Sequence, residues 1–376
     1  MNQQLISPAT LANWRAAPFS RWGFQHVREL IPSADIPNDP RRVRELAVEK
    51  RSLGVRIEPD AGEPLTLEGV LAQTDTDGFV VMHRGSVITE RYANGMTPET
   101  PHILMSVSKS MMGLLFGSLG IEAERKVVDF VPELRTTAYA EATVRHLLDM
   151  RAGVKFAEDY LATEGAIVEY RKATGWNALG PGETPGDLHS FYQVLKERDG
   201  PHGGRFHYIS TNSDLLGWVI ERATGRRYAD LMSELVWRPI GAERSAYITV
   251  DRLGAPRCAG GMCVTARDLA RGGQWMIEQP TAWIEDIEKN GDRKAWDEGS
   301  FAPYFPGLPM HYRSQWYVLH GASPLVFGVG IHGQHLFVDR QNELVIAKLS
   351  SQAQPLDAAR IALTLRAVSE IRKLFS

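Results

Sequence analysis

The sequence predicts an α/β (α+β) fold: an antiparallel sheet flanked by helices, with a mostly helical lobe inserted into it. Three observations predict it. Strand signals occur in two distant places, residues 78–92 and the stretch 246–348. Residues 121–240 between them read mostly helical. A helix-like tail over 356–374 closes the chain. Strands at both ends with helices between imply one sheet assembled from two chain segments, and a separate lobe. The 376 residues allow about two to three domains or interleaved subdomains. The expected division is an N-terminal arm over 1–65 packed on the body, a sheet domain over 66–120 and 241–376, and a helical domain over 121–240. The active site is expected between the last two.

Residues 1–65 are rich in proline and charge, with Ile31-Pro32, Ile36-Pro37 and Asp39-Pro40 biasing the chain toward extended backbone. Residues 78–92, GFVVMHRGSVITERY, are two β-branched and apolar runs around Arg84-Gly85, the pattern of a hairpin. Residues 106–120, SVSKSMMGLLFGSLG, open on a serine and stop at Gly120, which predicts a buried helix with one polar edge at its start. Further helices are expected over 144–150, 188–198 and 214–224. The segment 157–187 reads as a long aromatic loop, a common form of active-site lid. Strands are expected over 246–250, 315–319, 325–329, 335–339 and 343–348.

Lys plus Arg number 42 against 45 Asp plus Glu, for a net charge of −3, and no basic stripe interrupts the balance. A nucleic-acid partner is therefore not expected. Two cysteines, Cys258 and Cys263, are too few for a disulfide scaffold or a zinc ribbon and read as two buried thiols, with a single bridge between them as the alternative. The N-terminal residues lack the basic start and apolar run of a signal peptide, and no stretch of about 18 apolar residues exists. The expectation is a soluble cytoplasmic protein without a membrane partner. A homodimer is compatible with this reading.

The chemistry-bearing segment is Ser106-Val107-Ser108-Lys109. About one S-x-x-K match is expected by chance in a chain this long, so the context carries the weight. On a helix, Ser106 and Lys109 share a face, and the amine can reach the hydroxyl. The helix N-terminus adds partial positive charge beside a developing oxyanion. In the apolar run MSVSKSMMGLLFG a lysine is desolvated, which lowers its pKa from about 10.4 toward that of a useful base. The bland alternative is an N-cap serine beside a snorkelling lysine. Farther on, Tyr208-Ile209-Ser210 precedes an amphipathic helix. A tyrosine hydroxyl near a lysine can relay a proton, although a packed core tyrosine is the commoner role.

These segments resemble the serine β-lactamases, DD-peptidases and related esterases, which use Ser-x-x-Lys, then Tyr-x-Asn or Tyr-x-Ser, then Lys-Thr-Gly or a substitute. HILMSVSKS, RHLLDMRAGV, YISTNSDLLGWVIERATG and GGMCVTARDLAR follow that order. Within the superfamily the chain is similar to the 6-aminohexanoate-dimer hydrolases (nylon-oligomer hydrolases) of the class C-like branch, through SVSKS, AEDY, YISTN, TARDLAR and GIHGQ, from about Arg21 to about Ser351. The resemblance implies a β-lactamase/transpeptidase-like fold. It implies Ser106 as nucleophile, Lys109 as base, Tyr208 as proton relay, and an oxyanion hole from the backbone N–H groups of Ser106 and Ile331. Tyr160 and Trp176, the latter on a mobile loop, match substrate contacts, and Ser210 stands where Tyr-x-Asn has its Asn. No metal or cofactor is implied.

The third motif departs from the pattern. VFGVGIHGQ, residues 326–334, has Gly328 at the lysine position, and the Lys and Thr that help bind a β-lactam carboxylate are missing. His332 remains nearby, as a substrate contact or as a structural histidine. Arg171 falls where the nylon-oligomer hydrolases bind the substrate's amine with an acid, and another contact position is Ala259. The expected activity is that of a serine hydrolase cleaving a small ester or amide through an acyl-enzyme. β-Lactamase or DD-peptidase activity is the enzymatic alternative, and a non-catalytic binding module on the same fold is the other. Two decoys fall away. GVGIHG, residues 328–333, has the spacing of a dinucleotide loop but leads into a strand pattern instead of a helix. His332-x-x-His335 lies on a strand pattern that sends the two rings to opposite faces.

Overall fold

The computed structural model describes residues 9–376. Its centre is an eight-stranded sheet whose spatial order is Met310–Arg313, Trp316–Leu319, Leu325–Gly330, Gln334–Asp339, Leu344–Ser350, Thr76–His83, Ser86–Tyr92 and Ala47–Val48. Every pairing is antiparallel except the last, where Ala47–Val48 runs parallel to Ser86–Tyr92. The seam between early and late chain is the pairing of Leu344–Ser350 with Thr76–His83, with Ile346 opposite Val81. The hairpin turns through Arg84 and Gly85, both at positive φ (50° and 79°), between paired His83 and Ser86. Two consecutive positive φ values are what a two-residue turn between twisted strands requires, and glycine adopts them without a Cβ penalty.

The central strands are buried on both faces, with the two-residue period of a pleated sheet. Val80, Met82, Val345 and Ala347 enter one core, shared with the helices Val107–Gly117 and Ala266–Glu278. Phe79, Val81, Leu344 and Ile346 enter a second, covered by the C-terminal helix Ala358–Lys373 and by Leu67–Gln73. The fold is α/β, with an antiparallel sheet flanked by helices.

The N-terminal arm joins a smaller sheet of Ser33–Ile36, Ala246–Thr249, Met262–Val264 and His102–Ile103. A third apolar cluster, including Trp14, Phe24, Ile103, Met105 and Trp176, fastens the arm beside the start of the Val107–Gly117 helix.

Two segments differ from their sequence reading. The loop 157–187 contains a helix, Ala166–Ala173, whose buried Ile167, Tyr170 and Ala173 lie at i, i+3 and i+6. The helix expected over 188–198 stops after Leu188–Phe191 and one 3-10 turn, Tyr192–Val194. Beyond it the Leu195 carbonyl accepts the Ala138 N–H at 2.8 Å and Val154 bridges Arg198. Tertiary pairing outweighs a modest helix propensity there. No helix among the described residues is long and apolar enough to cross a membrane.

Candidate active site

Met105 precedes the Val107–Gly117 helix in a left-handed conformation, φ 45°, and is fully buried. A non-glycine residue held there persists only where packing over-determines it. The turn delivers Ser106 to the helix start. Ser106 does not cap the helix with its side chain, so its hydroxyl is available for other partners. One turn on, Lys109 is 1% exposed.

Three oxygens surround the Lys109 amine: Ser106 Oγ at 3.0 Å, Ser210 Oγ at 3.2 Å and the Ala259 carbonyl at 2.6 Å. The nitrogen also sits over the Tyr208 ring, 5.0 Å from its centroid. Burial lowers the Lys109 pKa to about 7; Glu158 and Asp214 oppose the shift, and Arg257 adds to it. The Tyr208 phenol is raised well above its ordinary value by burial, a shift the neighbouring Ser106 side chain opposes. Tyr208 therefore holds its proton at neutral pH.

Ser210 opens the helix Ser210–Thr224. Its backbone N–H and its hydroxyl both donate to Glu158, at 2.8 and 2.6 Å. A carboxylate at a helix N-terminus is favoured by the unpaired N–H groups and by the helix dipole. Deeper in, Asp214 pairs with Arg257 and Tyr170 and accepts the Ala259 N–H at 2.7 Å.

Ser106, Ile331, Tyr160, Trp176, Arg171 and Ser210 line one cavity of about 30 Å³, joined there by Glu158, Arg15 and Arg257. Among the described residues, the N–H groups of Ser106 and Ile331 make no turn or loop hydrogen bond to another main-chain carbonyl. Trp176 is tied in place: its indole N–H donates to Thr249 Oγ1 at 3.1 Å, and its ring meets Trp14 edge-on at 5.3 Å. His332 faces elsewhere. It stands at φ 61°, hydrogen-bonds the Gln352 carbonyl through Nδ1 at 2.7 Å, packs on Phe24, and lines a neighbouring cavity shared with the arm. Burial lowers its pKa to about 4, so the ring is neutral. Gly328 lies against the Ser106 helix, where a Cβ would meet Ser110 Oγ at 2.7 Å. The glycines of GVGIHG lead into the strand Gln334–Asp339, not a helix.

Sequence reasoning missed Glu158, Asp214, Arg257 and Arg15. The first two lie inside motifs that were read for their neighbours, AEDY and YISTNSDLL. Arg257 and Arg15 carry no local signal, because only the folded chain brings them near Ser106.

A buried lysine one turn from a helix-start serine, beside an antiparallel sheet, is the arrangement of the β-lactamase and transpeptidase class of hydrolases. Residues 67–369 match the family described as Beta-lactamase, and the chain belongs to that family as a serine hydrolase. It is 36% identical over 360 residues to the 6-aminohexanoate-dimer hydrolase of Paenarthrobacter ureafaciens, a match covering 92% of this chain and 89% of that one. A Bacillus anthracis protein assigned as a 6-aminohexanoate-dimer hydrolase superposes with a TM-score of 0.87 at 26% identity, over 98% of this chain and 99% of that one. EstCE1, a hydrolase with promiscuous acyltransferase activity, shares the fold at a TM-score of 0.63 and 17% identity, over 81% and 97% of the two chains.

Proposed function

We propose that the protein hydrolyses a small ester or amide through a covalent acyl-enzyme on Ser106. The observation that carries this reading is the Lys109 amine, 3.0 Å from Ser106 Oγ and with its pKa lowered to about 7. A lysine that is substantially neutral near pH 7 can serve as a general base.

Ser106 Oγ attacks the substrate carbonyl carbon while its proton passes to Lys109 Nζ. The negative charge gathers on the carbonyl oxygen, facing the N–H groups of Ser106 and Ile331. As the intermediate collapses, the carbon–heteroatom bond breaks and Tyr208 donates its proton to the leaving alcohol or amine. The phenolate recovers a proton from the Lys109 ammonium. Water then attacks the acyl carbon, the same amine taking its proton; the carbon–Oγ bond breaks, that proton passes from Lys109 to Ser106 Oγ, and the acid product leaves. The acyl group is placed in the cavity that Ser106 shares with Tyr160, Trp176 and Ile331. The substrate proposed for this cavity is a small molecule.

Gly328 speaks against β-lactam turnover, since the lysine that helps bind the β-lactam carboxylate has no room at that position. The test is hydrolysis of p-nitrophenyl butyrate alongside nitrocefin. Ser106→Ala and Lys109→Ala are expected to lose at least about a thousandfold in kcat, and Tyr208→Phe about a hundredfold or more. Wild-type turnover by Lys109→Ala would remove the lysine from the mechanism. Nitrocefin hydrolysis at rates comparable to the ester would overturn the substrate class.

A further inference from the structure

The cavity beside Ser106 is more positively charged than the chemistry on Ser106 needs. Three guanidinium groups line it, those of Arg15, Arg171 and Arg257, against the carboxylate of Glu158. Arg257 has its counter-ion in Asp214. Arg15 and Arg171 have none: among the described residues, no carboxylate lies within 4.0 Å of either. Their hydrogen bonds go to neutral oxygens instead. Arg15 Nη2 donates to Asn177 Oδ1 at 2.5 Å, and Arg171 donates to the carbonyls of Ala162 and Asp159 at 3.2 and 2.8 Å. Glu158 is already engaged by Ser210.

Arg171 is 6% exposed, so its charge is held largely out of water; its main opposing charge is Glu158, which lies beyond ion-pair contact and also serves Arg257. Arg15 reaches the cavity from the N-terminal arm, its guanidinium over Trp14 and Trp176 at 5.6 and 5.9 Å from the ring centroids. Burial, then Arg171, then Arg257 lower its pKa to about 9. The two guanidiniums therefore repel one another across a small space. An anion between them relieves that repulsion, and the planar guanidinium fork fits a carboxylate in bidentate fashion.

We propose that the substrate carries a carboxylate away from its scissile bond, and that Arg171 together with Arg15 receives it. The inference rests on the acyl-enzyme reading for its place in the reaction, but the binding it predicts is measurable without turnover. A substrate ending in an ammonium group is repelled by the same pair.

The test compares kcat/KM of the full-length protein for three esters: neutral p-nitrophenyl butyrate, mono-p-nitrophenyl adipate with its carboxylate on the acyl half, and 4-butyryloxybenzoate with its carboxylate on the leaving half. One anionic ester is expected to exceed the neutral one by about tenfold or more, and which one tells the half that Arg171 faces. Arg171→Gln and Arg15→Gln, on different elements, are each expected to cut that preference about tenfold. Losses common to all three esters cancel in the ratio. Added salt is expected to shrink the preference. A neutral ester preferred over both anions, or a ratio indifferent to both substitutions, overturns the proposal. Isothermal titration of Ser106→Ala with adipate and with 1,6-diaminohexane separates the two readings. Adipate binding that Arg171→Gln weakens, in a protein that cleaves no ester, leaves the anion site standing and removes the acyl-enzyme. Ester cleavage abolished by Ser106→Ala, with no adipate binding, does the reverse.

Discussion

Lys109 Nζ lies 2.6 Å from the Ala259 carbonyl, and that residue is held in turn by its N–H, donated to Asp214 at 2.7 Å. The contact orients the amine. A neutral lysine has two N–H donors and one lone pair. The Ala259 carbonyl takes one donor. Ser210 Oγ, which gives its own hydrogen to Glu158, can only accept and takes the other. The lone pair is left facing Ser106 Oγ, the direction a base needs.

The first consequence is a pH profile. With the Lys109 pKa lowered to about 7, the amine is protonated and inactive as a base below that value and neutral above it. kcat/KM for a neutral ester is expected to rise with pH, with a midpoint near 7, then level off. Tyr208, raised above its ordinary pKa, keeps its proton over that range. A profile flat from pH 5 to 9 under steady-state assay would contradict a lysine base.

Glu158 opposes the lowering of the Lys109 pKa. Glu158→Gln removes that charge, so the midpoint is expected to move to lower pH. The substitution also disturbs the direction of the Ser210 hydrogen bond, and kcat on the plateau is expected to fall by about tenfold. Repeating the pH–rate measurement on the variant checks both effects, and an unmoved midpoint would rule out the electrostatic role.

Asp214 and Arg257 form a buried ion pair. Breaking such a pair from one side costs about 3–5 kcal/mol, because the remaining charge stays buried without compensation. Asp214→Asn is expected to destabilise by that order in urea unfolding. It should also slow turnover, since the Ala259 peptide loses its anchor. Wild-type stability would mean that water reaches Arg257.

Gly328 touches the Ser106 helix through Ser110 and Val107, at 2.7 and 3.3 Å from a built Cβ. Gly328→Ala is expected to cost about 1–3 kcal/mol, read in chemical denaturation, and to lower kcat by shifting that helix. Gly328→Lys is expected not to confer nitrocefin hydrolysis.

Much of the frame could be read locally. The continuous apolar run within Thr76–His83 and the turn at Arg84-Gly85 specify a hairpin, and the apolar run after Ser106 specifies a buried helix. The one-turn spacing of Ser106 and Lys109 is a property of any α-helix. The helix Ala166–Ala173 escaped because it is only eight residues long and glycines, Gly165 and Gly175, lie close on both sides. The expected helix over 188–198 was cut short by pairings with residues far away in the chain.

The sequence by itself determined the central hairpin, the late strands and the buried helix after Ser106, and that a serine and a lysine share a helix face, because these follow from short-range periodicity and backbone sterics. Only the tertiary structure decided that Ser210, Glu158 and the Ala259 carbonyl orient the amine, that His332 turns toward Gln352, and that Arg15 and Arg171 meet beside Ser106. Those relations join residues up to about 150 positions apart. They arise from burial and from the satisfaction of polar groups across the packed core, which no local pattern encodes.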